Sequence, residues 1–183
     1  MNKVLFLDRD GTIIRDKNFI SLPEDVELLP KAAEGIRLFR EMGYKIIVVS
    51  NQSGIARGYF TEADCERVNK KVTELLSQEG AIIDGIYYCP HLPDVIVSKY
   101  AIDCECRKPK TGMLLKAARE HNIDLTKSIV IGDSARDIEA GKAVGAITIL
   151  LIARGDDTTP SSDCYTAFDL VEAAVWIRTL TQS

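Results

Sequence analysis

The segment VLFLDRDGT, residues 4–12, decides the fold of this chain. Val4–Leu7 is uniformly apolar, which is typical of a strand that is buried on both faces of a parallel sheet. Asp8 follows the strand directly, and Asp10 comes two residues later. Ligands of open parallel sheets bind beyond the carboxyl ends of the strands, so the two acids are expected to belong to a site there.

Outward from this segment, short apolar runs alternate with longer amphipathic stretches, and Ser50 and Asp133 each follow such a run. Strands are predicted at Val4–Leu7, Ile46–Val49, Ile82–Tyr88, Ser128–Ile131 and Ala146–Ile152. Helices are predicted over Lys31–Met42, from an N-cap at Thr61 to Gln78, and over Gly112–His121, Ala135–Val144 and Phe168–Leu180. Residues 89–110 are expected to form an irregular loop, and Asp156–Asp163 a polar turn. The alternation predicts an α/β fold, a Rossmann-like parallel sheet with helices on both faces, in one domain spanning residues 1–183.

The spacing of Asp8 and Asp10 suits phosphoryl transfer. One carboxylate can attack phosphorus, and the other can protonate the leaving oxygen and later activate water. Two carboxylates and a phosphate repel one another, so a divalent cation such as Mg²⁺ is expected. The competing interpretation is an ordinary strand end followed by an Asp-Gly turn.

Polar groups after the second strand can bind phosphate. Ser50-Asn51-Gln52-Ser53-Gly54 offers a hydroxyl, amides and a glycine. An ordinary polar loop is the alternative, and Arg57 can contact substrate or be a solvated charge.

Two later segments extend the candidate site. Arg107-Lys108 can neutralise and clamp an oxyanion, although adjacent basic residues are often only surface. Asp133 can bind a hard cation or cap the following helix, and Asp137 can support the site from one helical turn away.

Cys89, His91, Cys104 and Cys106 form a complete tetrahedral set for Zn²⁺ within the loop 89–106. Four protein ligands leave no open position, so the predicted site is structural. The alternative is that Cys89 ends a strand and the other two cysteines are incidental. We expect Cys65 and Cys164 to be packing or surface residues, and His121 to be a favourable residue at a helix end.

These motifs resemble those of the haloacid dehalogenase superfamily, in order and over residues 3–151. The resemblance implies that Asp8 is the nucleophile and Asp10 the general acid/base, with the Asp10 backbone carbonyl in the Mg²⁺ shell. It further implies that Ser50 binds the transferring phosphoryl group, that Lys108 is the conserved cation beside it, that Arg107 contacts substrate, and that Asp133 binds Mg²⁺ directly.

The zinc-loop pattern, CxH followed by CxCRKP, resembles the heptose-bisphosphate phosphatases and the histidinol-phosphate phosphatases of that superfamily. The strings SNQSGIARG and CRKPKTGM resemble the heptose-bisphosphate branch more closely, which implies hydrolysis of the C7 phosphate of a heptose bisphosphate. Histidinol phosphate is the alternative substrate, and a non-catalytic phospholigand-binding module is the alternative class. Asp16-Lys17-Asn18-Phe19-Ile20 departs from the family's Gly-Tyr-Val-like segment, so Asp16 and Phe19 are expected near the substrate and leave its identity open.

The composition argues against several classes of binding partner and fold. The net charge of −4 argues against binding to nucleic acid through a basic surface, and no apolar run is long enough to span a membrane. Five cysteines, an odd number, argue against a disulfide framework. With no room for the family's large cap domain and no signal peptide, we expect a cytoplasmic, monomeric enzyme acting on a soluble phosphorylated metabolite.

Overall fold

The computed structural model describes residues 2–153 and 164–182. Six parallel strands form one sheet in the order β3-β2-β1-β4-β5-β6. Strands β1 to β6 comprise Val4–Leu7, Lys45–Asn51, Gly85–Cys89, Ile129–Gly132, Ile147–Leu151 and Tyr165–Ala167. Helices α1 to α5 comprise Ala32–Glu41, Glu62–Gln78, Gly112–His121, Ala135–Ala143 and Leu170–Gln182. The predicted α/β class with a parallel sheet is confirmed.

Successive side chains of each strand point to opposite faces of the sheet, and an apolar layer packs against each face. In β1, Leu5 and Leu7 pack in the cluster that contains buried residues of α1, α2 and α5. Val4 and Phe6 point to the other face, where buried residues of α3 and α4 cover the sheet. All four side chains of β1 are fully buried, so the first strand is the centre of both layers.

The strand order reverses at β1. The chain runs outward from β1 through β2 to β3 on one side, and from β4 through β5 to β6 on the other. Crevices at such a switch point are where doubly wound sheets bind ligands. Asp8, which directly follows β1, therefore lies at the position where this fold opens a site.

Several element boundaries differ from the prediction, and the larger differences are in β2, β3 and α5. Strand β3 begins at Gly85 rather than at Ile82, because the Asp84 carboxylate accepts the amide hydrogen of Ile46 at 2.7 Å while Ile82 is 54% exposed. Strand β2 extends through Ser50 to Asn51, so these residues end the strand rather than follow it.

The short strand β6 was missed. It has three residues and pairs only at the sheet edge, with β5. Helix α5 starts at Leu170, two residues after the predicted start, since the Asp169 carboxylate accepts the amide hydrogen of Glu172 at 2.9 Å. The turn predicted over 156–163 lies outside the described residues.

Residues 11–29 fold back over the carboxyl edge of the sheet, and this segment is here called the flap. Its two ends pair through a bridge between Ile14 and Leu28, and Arg15 forms an ion pair with Glu27 at 3.1 Å. Within residues 2–153 and 164–182 no separate cap domain is inserted, in agreement with the prediction. None of the described helices has the length and hydrophobicity that a membrane crossing requires.

Candidate active site and metal centres

Lys108 joins the loop after β3 to the carboxyl ends of β1 and β4. Its side chain is 3% exposed, and its ammonium group lies 2.9 Å from Asp8 Oδ1 and 2.5 Å from Asp137 Oδ1. It also donates to the Val49 carbonyl oxygen at 2.6 Å. One buried cation is thus shared by two carboxylates and the end of β2, which fixes its position beside Asp8.

Burial and charge act against each other in this cluster. Burial raises the pKa of Asp8 above its usual range, and the charges of Asp137 and Asp10 add to this effect while Lys108 opposes it. Burial alone would lower the pKa of Lys108, but Asp8 and Asp137 outweigh it and the pKa is raised. The lysine therefore stays charged, and the surplus of negative charge lies on the acids.

Asp133 completes a group of carboxylates at the end of β4. Single oxygen atoms of Asp8, Asp133 and Asp137 lie within 4.8 Å of one another. Burial raises the pKa of Asp133 to about 7, and the negative charges of Asp8 and Asp137 contribute. Gly11 makes the approach possible, because a Cβ atom there would stand 1.9 Å from Asp133 Oδ2.

This donor set fits Mg²⁺, which prefers oxygen ligands and commonly uses one or two carboxylates. Apart from the Lys108 ammonium, the buried atoms Asp8 Oδ1 and Asp137 Oδ1 have no hydrogen-bond partner among the described residues. The second oxygen of Asp137 accepts from the Ser134 hydroxyl at 2.6 Å and caps α4. All three carboxylates could hold the ion, and Asp137 in addition contacts Lys108 and caps α4.

Asp10 is held from two sides. Arg9, which is 1% exposed, donates to both carboxylate oxygens of Asp10 at 3.2 Å and to Asn69 Oδ1 of α2 at 2.8 Å. Gln52 donates to Asp10 Oδ2 at 2.7 Å. Because Arg9 is anchored to α2, the Asp10 carboxylate has a defined orientation.

Ser50 and Asn51 are placed differently from each other. The Asn51 amide brackets the backbone of Lys108, accepting from its N–H and donating to its carbonyl oxygen, both at 3.0 Å. Its side chain thus positions Lys108, and Asn51 also lines the cleft described next, so its role in phosphate binding stays a prediction. Ser50 is buried and accepts from Gln52 at 2.8 Å, and it does not line the cleft described next.

A cleft of about 370 Å³ opens above these groups. The predicted site residues that line it are Asp8, Asp10, Asp16, Phe19, Asn51, Gln52, Ser53, Arg57, Arg107, Lys108 and Asp133. Phe19 belongs to the flap, has a φ of 61°, and packs edge-on to Tyr59 with 4.9 Å between ring centroids. The flap therefore closes one side of the cleft. The zinc loop 89–106 itself does not line it, and Arg107 directly after the loop does.

The four predicted zinc ligands come together next to β3. One donor atom from each of Cys89, His91, Cys104 and Cys106 lies within 4.8 Å of the others, and the closest pairs are 3.0–3.4 Å apart. Zn–S and Zn–N bonds of about 2.0–2.3 Å span donor separations of this order, so the set is consistent with a structural zinc. Cys65 and His121 lie elsewhere, Cys65 against Arg9 and His121 against the Tyr87 hydroxyl.

The zinc cluster connects directly to the cleft. Arg107 Nη1 donates to the His91 carbonyl oxygen at 3.3 Å. The Cys89 carbonyl oxygen accepts from the Gln52 amide at 2.8 Å. A metal that ordered the loop would therefore also fix the position of Arg107 and of the backbone at Gln52.

Two residues of the site were missed from the sequence. Arg9 lies between the two acids of the first motif, and Arg136 lines the cleft from the start of α4. The available signal for Arg9 was a basic residue placed between two acids directly after an apolar strand. For Arg136, the only signal was its place between Asp133 and Asp137.

Comparisons with known proteins agree with this geometry. A family model described as polynucleotide kinase 3 phosphatase matches residues 3–168. The chain is 39% identical over 161 residues to the D-glycero-alpha-D-manno-heptose-1,7-bisphosphate 7-phosphatase of Photorhabdus laumondii, covering 88% of each chain. It is 40% identical over 159 residues to the D-glycero-beta-D-manno-heptose-1,7-bisphosphate 7-phosphatase of Haemophilus influenzae, covering 87% of this chain and 86% of that protein.

A solved structure supports the same relation. The D,D-heptose 1.7-bisphosphate phosphatase of B. bronchiseptica, in complex with magnesium and phosphate, superposes with a TM-score of 0.81 at 30% identity, covering 99% of both chains. The resemblance indicated by the sequence motifs is therefore confirmed. The chain belongs to the polynucleotide kinase 3 phosphatase family as that model defines it and, within the haloacid dehalogenase superfamily, to the heptose-bisphosphate phosphatases.

Proposed function

We propose that this protein hydrolyses the C7 phosphate of D-glycero-D-manno-heptose 1,7-bisphosphate through an aspartyl-phosphate on Asp8. The observation that carries the chemistry is the contact between Asp8 and the buried Lys108, with Asp133 and Asp137 beside them. The proposed substrate is taken from the relatives, which are named as phosphatases of heptose 1,7-bisphosphate. The relatives named for the alpha and the beta anomer are nearly equally identical to this chain.

In the first step the Asp8 carboxylate attacks phosphorus and the bond from phosphorus to the C7 oxygen breaks. Asp10, entering as a carboxylic acid, gives its proton to the leaving alkoxide. Arg9 and Gln52 hold Asp10 in one orientation, which favours transfer of the proton along a fixed direction. The Lys108 ammonium stabilises charge on the phosphoryl oxygens.

In the second step Asp10, now a carboxylate, removes a proton from water. The water oxygen bonds to phosphorus, the bond from phosphorus to Asp8 breaks, and inorganic phosphate leaves. Asp8 is again a carboxylate and Asp10 again an acid, so the cycle closes.

The chain's own residues account for binding and orientation. Bound Mg²⁺, held by Asp8, Asp133 and the Asp10 backbone carbonyl, would supply positive charge where carboxylates and phosphate meet. We propose, from the resemblance of its motif, that the Ser50 hydroxyl binds the transferring phosphoryl group. Ser50 does not line the cleft and accepts a hydrogen bond from Gln52, so this role rests on the resemblance alone. Zinc on the cysteine–histidine cluster would brace Arg107.

The remaining cleft residues are assigned to the sugar. Arg57 and Arg107 carry positive charge into the cleft, and Asp16, Phe19 and Ser53 line it beside them. We also propose that residues 1–183 act as a single catalytic domain, monomeric and cytoplasmic, on this soluble substrate. Gel filtration of the zinc-loaded protein tests the monomer.

A substrate comparison tests the function. Phosphate release is measured with Mg²⁺ on both anomers of heptose 1,7-bisphosphate and on histidinol phosphate, with Asp10→Asn as a matched inactive control. We expect kcat/KM for one heptose anomer to exceed that for histidinol phosphate at least about a thousandfold, beyond the roughly 10–200-fold that one methylene in an apolar pocket supplies. A higher kcat/KM on histidinol phosphate, or no phosphate release from any of the three, would overturn the proposal.

A further inference from the structure

Asn69 is a polar residue on the buried face of α2. The buried residues of this helix have the spacing of a single helical face, and they are Cys65, Val68, Asn69, Val72 and Leu76. Asn69 is only 7% exposed. Burying an amide costs free energy unless its polar atoms are hydrogen-bonded, and asparagine is a weaker helix former than leucine. Packing alone would favour an aliphatic side chain here, so the role of Asn69 lies in its hydrogen bonds.

The Asn69 amide bonds to Arg9 and to Cys65. Asn69 Oδ1 accepts from Arg9 Nη1 at 2.8 Å, and Asn69 Nδ2 donates to Cys65 Sγ at 3.7 Å. A guanidinium group has only donors, so the amide has to turn its oxygen towards Arg9. The Cys65 sulfur accepts from the other side of the amide. The orientation of Asn69 is therefore fixed at both of its polar atoms.

The other end of the Arg9 guanidinium group holds Asp10. Nε and Nη2 donate to the two carboxylate oxygens, each at 3.2 Å. Paired hydrogen bonds of this kind fix both the position and the plane of a carboxylate. Among residues 2–153 and 164–182, Asp10 is the only acid with which Arg9 forms an ion pair. Because Asn69 holds Nη1, the guanidinium group cannot slide or rotate freely along the carboxylate.

Asn69 itself does not line the cleft, whereas Asp10 does. An influence of Asn69 on the reaction therefore has to pass through Arg9. Gln52 also donates to Asp10 Oδ2, at 2.7 Å, from the end of β2. Loss of Asn69 would therefore loosen the orientation of Asp10 without releasing this carboxylate completely.

We propose that Asn69 is a positioning residue for the proton transfer to the leaving group, acting through Arg9 on Asp10. The inference rests on the proposed function for the role of Asp10 as the acid. When Asp8 attacks phosphorus, the bond to the leaving oxygen breaks, and the electron pair of this bond takes the Asp10 proton. A leaving group that departs as a stable anion takes no proton at this step, so its departure does not depend on how Asp10 is oriented.

The leaving group therefore separates a positioning role from a general structural one. Asn69→Leu is compared with wild type on heptose 1,7-bisphosphate and on p-nitrophenyl phosphate. On the heptose we expect kcat/KM to fall about three- to thirtyfold, because Arg9 loses a hydrogen bond while Gln52 still holds Asp10. On p-nitrophenyl phosphate kcat/KM should stay within about twofold, because p-nitrophenolate leaves without a proton. An equal loss on both substrates, or no loss on the heptose, would overturn the assignment.

A double variant tests the route through Arg9. If Asn69 acts only through Arg9, then Arg9→Met combined with Asn69→Leu should have the same kcat/KM on the heptose as Arg9→Met alone, within about twofold. Two losses that multiply would overturn the assignment. Asn69→Ala removes the same acceptor oxygen and repeats the test if Asn69→Leu does not fold.

Val72→Ala is the matched control, because Val72 lies on the same buried face of α2 and has no polar side-chain atom. The cavity should lower Tm, and kcat/KM should not change on either substrate. A loss of kcat/KM on the heptose as large as that of Asn69→Leu would show that any damage to α2 slows the reaction, and would overturn the assignment.

Phenyl phosphate distinguishes failure of this proposal from failure of the proposed function. Phenolate is a poorer leaving group than p-nitrophenolate, so its departure benefits from the Asp10 proton. If wild type does not hydrolyse the heptose but Asn69→Leu lowers kcat/KM on phenyl phosphate at least about threefold more than on p-nitrophenyl phosphate, the substrate assignment fails and the role of Asn69 stands. If wild type hydrolyses the heptose and Asn69→Leu changes kcat/KM on the two aryl phosphates equally, the role of Asn69 fails and the function stands.

Discussion

Replacing Lys108 by methionine should destabilise the folded protein strongly. The change removes the ammonium group that lies 2.9 Å from Asp8 and 2.5 Å from Asp137, both of whose contacting oxygens are buried and lack another hydrogen-bond partner among the described residues. Removing one partner of a buried ion pair typically costs about 3–5 kcal/mol. For a chain of this size each kcal/mol lowers Tm by about 2–4 °C, so the expected decrease is roughly 6–20 °C.

The sign of the pH dependence follows from the same contacts. Burial raises the pKa of Asp8 already in the wild type, while Lys108 opposes the rise, so the variant should raise it further. A carboxyl group whose pKa is higher in the folded than in the unfolded state binds more protons when folded, and stability falls as pH rises. The loss of Tm in Lys108→Met should therefore be larger at about pH 8 than at about pH 5.5.

Thermal denaturation of zinc-loaded protein in Mg²⁺-free buffer measures both effects. Lys110→Met is the matched control, because Lys110 is half-exposed and pairs with the exposed acids Asp103 and Glu105. Surface pairs of this kind contribute about 0–1 kcal/mol, so its Tm should change little. Equal shifts for the two variants, or a loss that does not depend on pH, would refute the reasoning.

Three further outcomes are expected. Cys106→Ser should lose bound zinc and reduce kcat/KM as the support of Arg107 is lost; retained zinc by metal analysis would contradict this. The pKa of Asp133 is raised to about 7, so ionising this carboxyl group destabilises the folded state. In Mg²⁺-free buffer, the Tm of the wild type should therefore fall relative to that of Asp133→Asn as pH rises from about 4 to 7, and a Tm difference that does not change with pH would contradict this. Arg9→Met should lower kcat about ten- to a hundredfold with KM little changed, because Asp10 loses its charged donor; steady-state kinetics showing a change in KM alone would count against it.

The sequence was informative about the fold wherever local pattern and burial agree. Val4–Leu7 is apolar throughout and lies at the centre of the sheet, as predicted. The start of β3 could not be predicted from the sequence, because Ile82 and Ile83 are typical strand residues. The hydrogen bond between Asp84 and Ile46, which are 38 positions apart, cannot be inferred from local sequence. Strand β6 was missed because three residues offer too little periodicity to recognise.

In the candidate site, too, some features could be predicted from the sequence and others could not. Residue types that bind metals or phosphate predicted the acid cluster and the zinc ligands, which the structure brings together. The positioning contacts were not predictable, because their partners are remote: Asn51 holds Lys108 from 57 positions away, and Arg9 reaches Asn69 over 60. Local sequence cannot show whether an amide in a phosphate-binding motif contacts the ligand or the backbone beside it.

Asp8 is the centre of the proposed mechanism, and its isosteric variant tests it most directly. Phosphate release from heptose 1,7-bisphosphate is measured for Asp8→Asn beside wild type, with zinc content and Tm recorded for both. The mechanism predicts a loss of more than about a thousandfold in kcat with zinc content retained, as expected when a nucleophile is removed. Turnover near the wild-type rate in the folded, zinc-loaded variant would contradict the assignment of Asp8 as the nucleophile.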